Sequence, residues 1–548
     1  MPRPRSTLLL LVAILLVGIV ARVTTSLGPG SLWHDELPTA LNATERGWDE
    51  ILTPLGYKQI APLGFNAAEK AAVALAGPTE WGLRLFPLLA SVVALFLFWR
   101  VAARFLAPGP LLGALALFAV SPALVWYARK AKQYAGDLGA TLLLLWLALR
   151  AREEGYRRRE AWIPGIAGGV AIVVSHPAVL VAVGLFAALA WERWRDGRSL
   201  VPLLPLAAGW TAGLLVQVWT TTLLTPTETH DFMSSAWSFA FFPPPWESLR
   251  AALWLPLRIF DYMGFLVGLM EADSAWEIGF VGAYFALAAL GAAGLLRRRP
   301  PGVALLLVPL VVAILASAAR ILPLSGRLMI YVAPTIVVAC LAGLEEIRAR
   351  VPTRLHAGVL RGGLVLAAAP ALFLPLMIPV LNQQDDTRPV LREVRGRWRE
   401  GDVVLVYGGA VQAMRFYGPP LGFERWIEGG IYGPDPRAYL RDVDALRGHP
   451  RGWFFQSHSL GCSVPMMHSY LDSIGTGIEA VEDPHGNRGM HQAEARLYDL
   501  SDPGLLARSS AASHPLLDRS DPRCHDRDTS IGGRIKGKLR DLLADLAG

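Results

Sequence analysis

About eleven apolar stretches, most of them separated by short basic loops, constrain this chain more than any other feature. A helix needs roughly 17–25 apolar residues to cross a hydrocarbon core of about 30 Å. Within lipid only a helix or a closed barrel satisfies its own backbone. The candidate spans are 7–24, 82–106, 110–127, 138–150, 162–176, 177–191, 200–223, 277–296, 302–319, 328–345 and 360–380, several of them short. With 53% hydrophobic and 18% charged residues over 548 positions, the composition is too apolar for a soluble chain of this length. The expected fold is a polytopic α-helical membrane protein.

Charge placement orients the spans. Met1 to Arg5 is basic and precedes the apolar run Leu8 to Val20, which resembles a secretory signal but lacks a small-x-small cleavage site. It is read as the first span. With the N-terminus inside, the basic loops Arg150–Arg159, Trp191–Arg198, Arg297–Arg299 and Arg348–Arg354 all fall in the cytoplasm, as the positive-inside rule requires. Asp35-Glu36, Tyr127–Asp137, His176, residues 224–276 and Arg327 then face the other side. This parity requires residues 59–76 to form an interfacial helix, which Pro62, Glu69, Lys70 and the short length favour.

From Gln383 no run is long enough to span, and strand-like segments (Asp402–Tyr407, Trp453–Gln456, Arg496–Leu500) alternate with helical ones. The predicted organisation is a transmembrane domain over 1–382 and a small soluble α/β domain over 383–500 outside the cytoplasm. A tail over 501–548 reads as disordered, apart from an amphipathic stretch near Lys536–Leu546. The net charge of +7 is spread through short loops, so no nucleic-acid patch is indicated. Cys340, Cys462 and Cys524 lie far apart and suggest neither a zinc site nor a disulfide framework.

Four clusters carry chemistry. Trp33-His34-Asp35-Glu36 stands just past the first span, where a carboxylate can take a proton from an incoming hydroxyl or amine and its neighbour can hold a metal or a sugar hydroxyl. The same pair reads equally well as the cap of a helix running toward Asn42. Between the third and fourth spans, Arg129, Lys130, Lys132 and Gln133 are dense positive charge on the face where it is normally selected against. An anionic phosphate headgroup accounts for this, with Tyr134 adding a donor; snorkelling accounts for only one or two such cations. Asp137 shares a helical face with Gln133 and Tyr134 and either serves a divalent-ion or acceptor site or pairs with Arg129 or Lys132. Arg327 opens an inward-going helix, with Gly326 allowing close approach of an anion, and reads otherwise as an interface anchor. Lys58 is a weaker phosphate contact. His176, in Ser175-His176-Pro177, is a candidate lining of the same cavity.

The sequence W-H-D-E after the first helix, K-Q-x-x-P-L, then E-W-x-L-R-L-F-P (Glu80–Pro87) and S-P-x-L-x-W-Y-x-R-x-x-x-x-Y (Ser121–Tyr134) resembles the GT-C membrane glycosyltransferases. It is most similar to the branch holding protein O-mannosyltransferases and lipid A aminoarabinose transferases, over residues 1–345. The segment from Asp386 through Val406 to Tyr417 is similar to soluble domains of bacterial members. The resemblance implies a polyprenyl-phosphate sugar donor, inversion at the anomeric carbon and a glycan, lipid or protein acceptor, in a bacterial inner membrane. It implies Asp35 as catalytic base assisted by Glu36, with Arg129, Lys132, Tyr134 and Arg327 around the donor phosphate; by position alone, Lys58 joins the phosphate contacts and His34 and His176 are acceptor or cavity candidates. Two departures stand out. Arg327-Leu328 replaces a basic-aromatic pair, displacing the aromatic contact to Tyr331 if it is kept. Arg129-Lys130-Ala131-Lys132 lacks the acidic residue found between the cations elsewhere, so a divalent metal would depend on Asp137. The rival of another class is a transporter or flippase of lipid-linked sugars, which usually shows internal repeats. Others are a ligase using a lipid diphosphate donor and a structural or sensory membrane protein.

Overall fold

Apolar runs become helices wherever proline and polar punctuation allow, and the breaks fall where the sequence puts Pro, Ser and Gly. In the computed structural model, which describes residues 5–154, 160–244, 246, 248–269, 274–375, 386–432, 435–459, 461–483, 493–517 and 521, the chain divides into two units. The first comprises Met1–Leu27 and Asn42–Met377; the second comprises Gly28–Leu41 and Ile378–Gly548.

In chain order the helices are α1 (Arg5–Leu27), α2 (Leu37–Glu45), α3 (Leu63–Ala76), α4 (Glu80–Ala102), α5 (Pro108–Val120), α6 (Pro122–Trp126), α7 (Tyr134–Glu154), α8 (Trp162–Val174) and α9 (His176–Arg195). They continue with α10 (Leu204–Leu224), α11 (Thr227–Ala236), α12 (Leu249–Ala252), α13 (Trp254–Val267), α14 (Ala275–Arg298), α15 (Val303–Ala318), α16 (Ala333–Arg348) and α17 (His356–Ala368). Among the described residues eight helical segments are long and apolar enough to cross a membrane, and α5, α8 and α15 are shorter apolar helices. These eleven occupy the positions of the eleven expected spans, with two differences. The span expected over 110–127 breaks at Ser121-Pro122 into α5 and α6, and the end of the last expected span lies outside the described residues.

Ion pairs fix the relative directions of the helices. Arg104 after α4 pairs with Glu153 of α7 at 2.6 Å, Arg152 of α7 with Glu192 of α9 at 2.6 Å, and Arg298 of α14 with Glu345 of α16 at 2.8 Å. Arg297 and Arg350 both pair with Glu346. The Ala107 amide, just before α5, donates to Glu345 at 2.8 Å. The C-terminal ends of α4, α7, α9, α14 and α16 therefore share one face with the start of α5. At the opposite face, Arg22 near the end of α1 donates to the Phe118 and Ala119 carbonyls at the end of α5 (3.2 and 2.8 Å). Since α1 and α5 end on the face where α4 begins, the intervening segment, α3 included, returns to the face it left. At 14 residues α3 is about 21 Å long, and it buries Glu69 and Lys70.

Arg22 has a specific task. Pro122 has no N–H to donate to the Phe118 carbonyl four residues back, and the guanidinium supplies the missing donor. It also donates to Ser91 Oγ on α4 at 2.8 Å, tying three helices together while fully buried. Elsewhere small residues permit close crossing: on α8 and α10, Gly165 and Gly169 face Gly209 and Gly213 so tightly that a Cβ on any of them would strike the partner backbone.

The second unit is an α/β domain. Its helices are α18 (Thr387–Gly396), α19 (Val411–Tyr417), α20 (Pro436–Val443), α21 (Ser463–Ile474) and α22 (Pro503–Leu506). Its strands β1 (Val403–Val406), β2 (Ile427–Glu428), β3 (Gly452–Gln456), β4 (Thr476–Glu482) and β5 (Glu494–Asp499) form one sheet in the order β2-β1-β3-β5-β4. β2, β1 and β3 are parallel; β5 pairs antiparallel with both β3 and β4. Leu405, Phe454, Tyr470, Leu471 and Ile474 pack the core. Asp402, with a fully enclosed side chain, accepts from Arg451 Nε at 2.6 Å and Trp453 Nε1 at 3.0 Å, pinning the start of β1 to β3.

Two expectations change here. Residues 501–517 are ordered, because Arg447 donates to the Leu506 and Ser509 carbonyls and Arg437 to that of Ala511; the stretch near Lys536–Leu546 lies outside the described residues. Cys462 is disulfide-bonded, to a partner outside the described residues, whereas Cys340 is free and buried. Cysteines distant in sequence can be brought together only by the tertiary fold, so their spacing carried no signal.

Glu494 supplies a pH-dependent term. Burial raises its carboxyl, but His468 and Arg496 more than offset this and draw it down to about 2. A carboxyl held below its unfolded value of 4.5 contributes stability above that value and loses it as the pH falls toward 2. Acid unfolding of this unit, followed by tryptophan fluorescence, should steepen below about pH 4.5, and Glu494→Gln should flatten that dependence. Asp402→Ala should cost about 3–5 kcal/mol, read as a lowered thermal midpoint.

Candidate active site

The residues singled out from sequence divide between the units: Lys58, Arg129, Lys132, Tyr134, Asp137, His176 and Arg327 belong to the first, and His34, Asp35 and Glu36 to the second.

In the first unit the two most enclosed candidate spans, Tyr134–Glu153 and Gly326–Arg348, both begin at the face opposite the ion-paired helix ends. Their starts meet. The Arg327 guanidinium lies over the Tyr134 ring at 5.8 Å and over Trp237 at 5.5 Å, both within cation–π range. Tyr127 packs edge-on to Tyr134 at 5.2 Å and tilts against Phe265. The aromatic partners of Arg327 thus come from α7 and from the loop after α11, not from Tyr331, which is buried within the 3-10 turn Gly326–Val332. Gly326 has a φ of +28° that fits the turn, and an added Cβ would meet only the Phe265 ring, at 3.9 Å.

The turn between α6 and α7 holds the basic cluster. Arg129 and Lys130 are buried at 2% and 4% exposure, and both lie over Trp126, at 5.3 and 4.3 Å. Snorkelling extends a charge into water and does not describe these two. Lys132 and Gln133 are half-buried. Ser121-Pro122 separates α5 from α6 ahead of this turn, and the Ser121 hydroxyl donates to the Leu266 carbonyl at 2.6 Å, holding that break to α13.

Asp137, in the first turn of α7, hydrogen-bonds Ser175, the residue that caps α9. Its Oδ1 is enclosed and has no hydrogen-bond partner among the described residues. The ion pair with the basic cluster raised for it does not form. Among the described residues no three His, Cys, Asp or Glu side chains gather to hold a metal ion.

His176 opens α9 and lines a small surface pocket with Gln59, Asn66, Thr220, Thr221 and Thr225. Its Nε2 is enclosed without a hydrogen-bond partner. The lining is neutral and rich in hydroxyls and amides. Lys58 is exposed, in a left-handed backbone position next to Tyr57, with Nζ 5.6 Å from the Phe232 ring centre. Trp237, Trp126, Ser175 and the α10 threonines escaped sequence reasoning because single aromatic or hydroxyl residues in apolar segments follow no spacing rule.

In the second unit the two adjacent carboxylates separate in role. Glu36 is 1% exposed and its Oε2 accepts the Trp33 amide at 3.0 Å, while the Glu36 amide donates to the Trp33 carbonyl at 2.7 Å. This reciprocal pair closes the turn that starts α2, so the capping alternative describes Glu36. Asp35 is half-buried. His34 stacks on His458, ring centres 3.8 Å apart and planes 6° from parallel.

Residues 61–221 match the family model of dolichyl-phosphate-mannose-protein mannosyltransferases. The fold is similar to that of ArnT from Cupriavidus metallidurans bound to undecaprenyl phosphate, at TM-score 0.51 and 12% identity over 92% of this chain and 99% of that one. The oligosaccharyltransferase AglB from Archaeoglobus fulgidus, in complex with an inhibitory peptide and a dolichol phosphate, gives TM-score 0.46 and 12% identity over 86% of this chain and 73% of that one. No curated protein sequence matches. The chain therefore has the GT-C fold that its motifs resembled, a helical membrane domain followed by a small sheet domain.

Removing the guanidinium between Tyr134 and Trp237 tests the anion-binding character of this face. Arg327→Ala should weaken binding of polyprenyl phosphate by roughly tenfold or more, the range of one charge-assisted hydrogen bond, in a titration of the detergent-solubilised protein.

Proposed function

We propose that this chain is an inverting membrane glycosyltransferase that moves a sugar from a polyprenyl-phosphate donor to an acceptor outside the cytoplasm. The observation that carries this reading is the burial of Arg129 and Lys130, with Arg327 set between two aromatic rings, where α7 and the Gly326–Arg348 segment begin. Enclosed positive charge in an apolar domain suits a lipid-borne phosphate. The family description over residues 61–221, which names a polyprenyl-phosphate sugar donor, supports the same chemistry.

The reaction asks little of the protein beyond electrostatics and one base. The donor departs as a phosphate, already a weak base, so no general acid is needed. The acceptor oxygen forms a bond to the anomeric carbon as the bond from that carbon to the phosphate oxygen breaks, the electron pair leaving with the phosphate. Arg129, Lys132 and Arg327 oppose the charge that develops there. Asp35 takes the acceptor proton, and attack opposite the departing phosphate inverts the centre. Glu36, committed to the Trp33 amide, holds the turn. No step is routed through a metal.

The disulfide at Cys462 supports the proposed sidedness, since such bonds persist in oxidising compartments such as a bacterial periplasm.

With purified protein and a polyprenyl-phosphate sugar, Asp35→Asn should lower kcat by about 10²–10⁴ while donor binding stays intact; retained turnover would remove Asp35 as the base. Movement of intact donor across vesicles without cleavage would instead identify a flippase. In intact spheroplasts, Cys462 should resist a membrane-impermeant thiol reagent until an impermeant reductant is added. Labelling without reductant would contradict the disulfide, and resistance that persists after reduction would contradict the location.

A further inference from the structure

We infer that the C-terminal α/β unit takes part in the reaction by holding the loop that bears Asp35, with His458 as its positioning residue. This rests on the proposed role of Asp35 and extends it to a domain with no assigned part in the chemistry.

Residues Gly28–Leu41 belong to the same compact unit as the sheet domain, although some 340 residues separate them in sequence. The loop is fastened on both sides of Asp35. Upstream, the Ser31 amide and hydroxyl both donate to Asp386 Oδ1, at 3.0 and 2.6 Å, and the Leu32 amide donates to the Tyr417 hydroxyl at 2.7 Å. The Arg388 amide closes this lock by donating to Ser31 Oγ at 3.0 Å. Downstream, the cap between Glu36 and Trp33 rigidifies the turn. Between them the His34 ring, adjacent to Asp35, lies flat on His458.

His458 is itself held in place. It follows β3 by two residues, at the carboxyl ends of the parallel strands β1 and β3, the edge at which open α/β sheets place their functional loops. Its φ of +52° is unusual for a residue with a side chain. The loop after β1 presses against it: a Cβ at Gly409 would lie 2.6 Å from the His458 carbonyl oxygen and 3.1 Å from that of Ser457. A base held by a rigid support keeps its carboxylate in line with the acceptor proton, and small displacements are costly in rate.

The test uses the full-length protein in nanodiscs, with three readouts: hydrogen–deuterium exchange over residues 28–41, affinity for polyprenyl-phosphomannose, and kcat for release of labelled mannose to water. His458→Ala should raise exchange in the loop and lower kcat by roughly tenfold or more, with donor affinity unchanged. His458→Phe, which keeps a flat ring against His34, should restore both. Unchanged exchange in His458→Ala, or a His458→Phe variant as impaired as His458→Ala, would overturn the proposal. Should His458→Ala not fold, Tyr417→Phe removes the Leu32 anchor and must raise exchange in the same loop. If the wild type releases no mannose, the transferase reading fails while the exchange experiment still decides the positioning claim.

Discussion

The Arg22 guanidinium meets a demand that apolar helices impose: every enclosed polar group must find a partner. Ser121-Pro122 stops α5 and leaves a carbonyl without its helical donor, and the turn that follows carries Arg129, Lys130 and Lys132 into Tyr134 and α7. Without a buried cation to satisfy that end, the break would be costly within lipid. With it, α1, α4 and α5 are locked together at the face where the functional turns emerge.

The opposite face is built on a different economy of charge. Glu153, Glu192, Glu345 and Glu346 pair with arginines at helix ends, where cations also complement the helix dipole. Individually such exposed pairs contribute little. Their value is directional, because they record which helix ends lie together and so confirm the alternation of the spans.

The two carboxylates of Trp33-His34-Asp35-Glu36 show how backbone geometry divides similar groups. Three residues after Trp33, Glu36 can fold back on its amide; Asp35, one residue earlier, cannot. Burial and a backbone donor commit the first to structure and leave the second half-buried beside His34. An analogous division separates Asp137, which bonds Ser175, from the basic residues it was expected to join.

The sequence alone determined the membrane class, the order of the apolar helices, the return of the 59–76 segment to its own face and the alternating character of the C-terminal domain. Each follows from periodicity, run length or charge bias, all local quantities. It also marked the Arg129–Tyr134 turn and Arg327, since cations on that face are unusual. Tertiary structure alone decided that Arg327 sits between Tyr134 and Trp237, that Asp137 meets Ser175, that residues 501–517 are anchored, that Cys462 is cross-linked and that the loop after α1 belongs with a sheet domain far along the chain. Such contacts depend on packing between distant segments. No spacing rule encodes them, because one stretch of sequence is silent about the backbone that will lie against it.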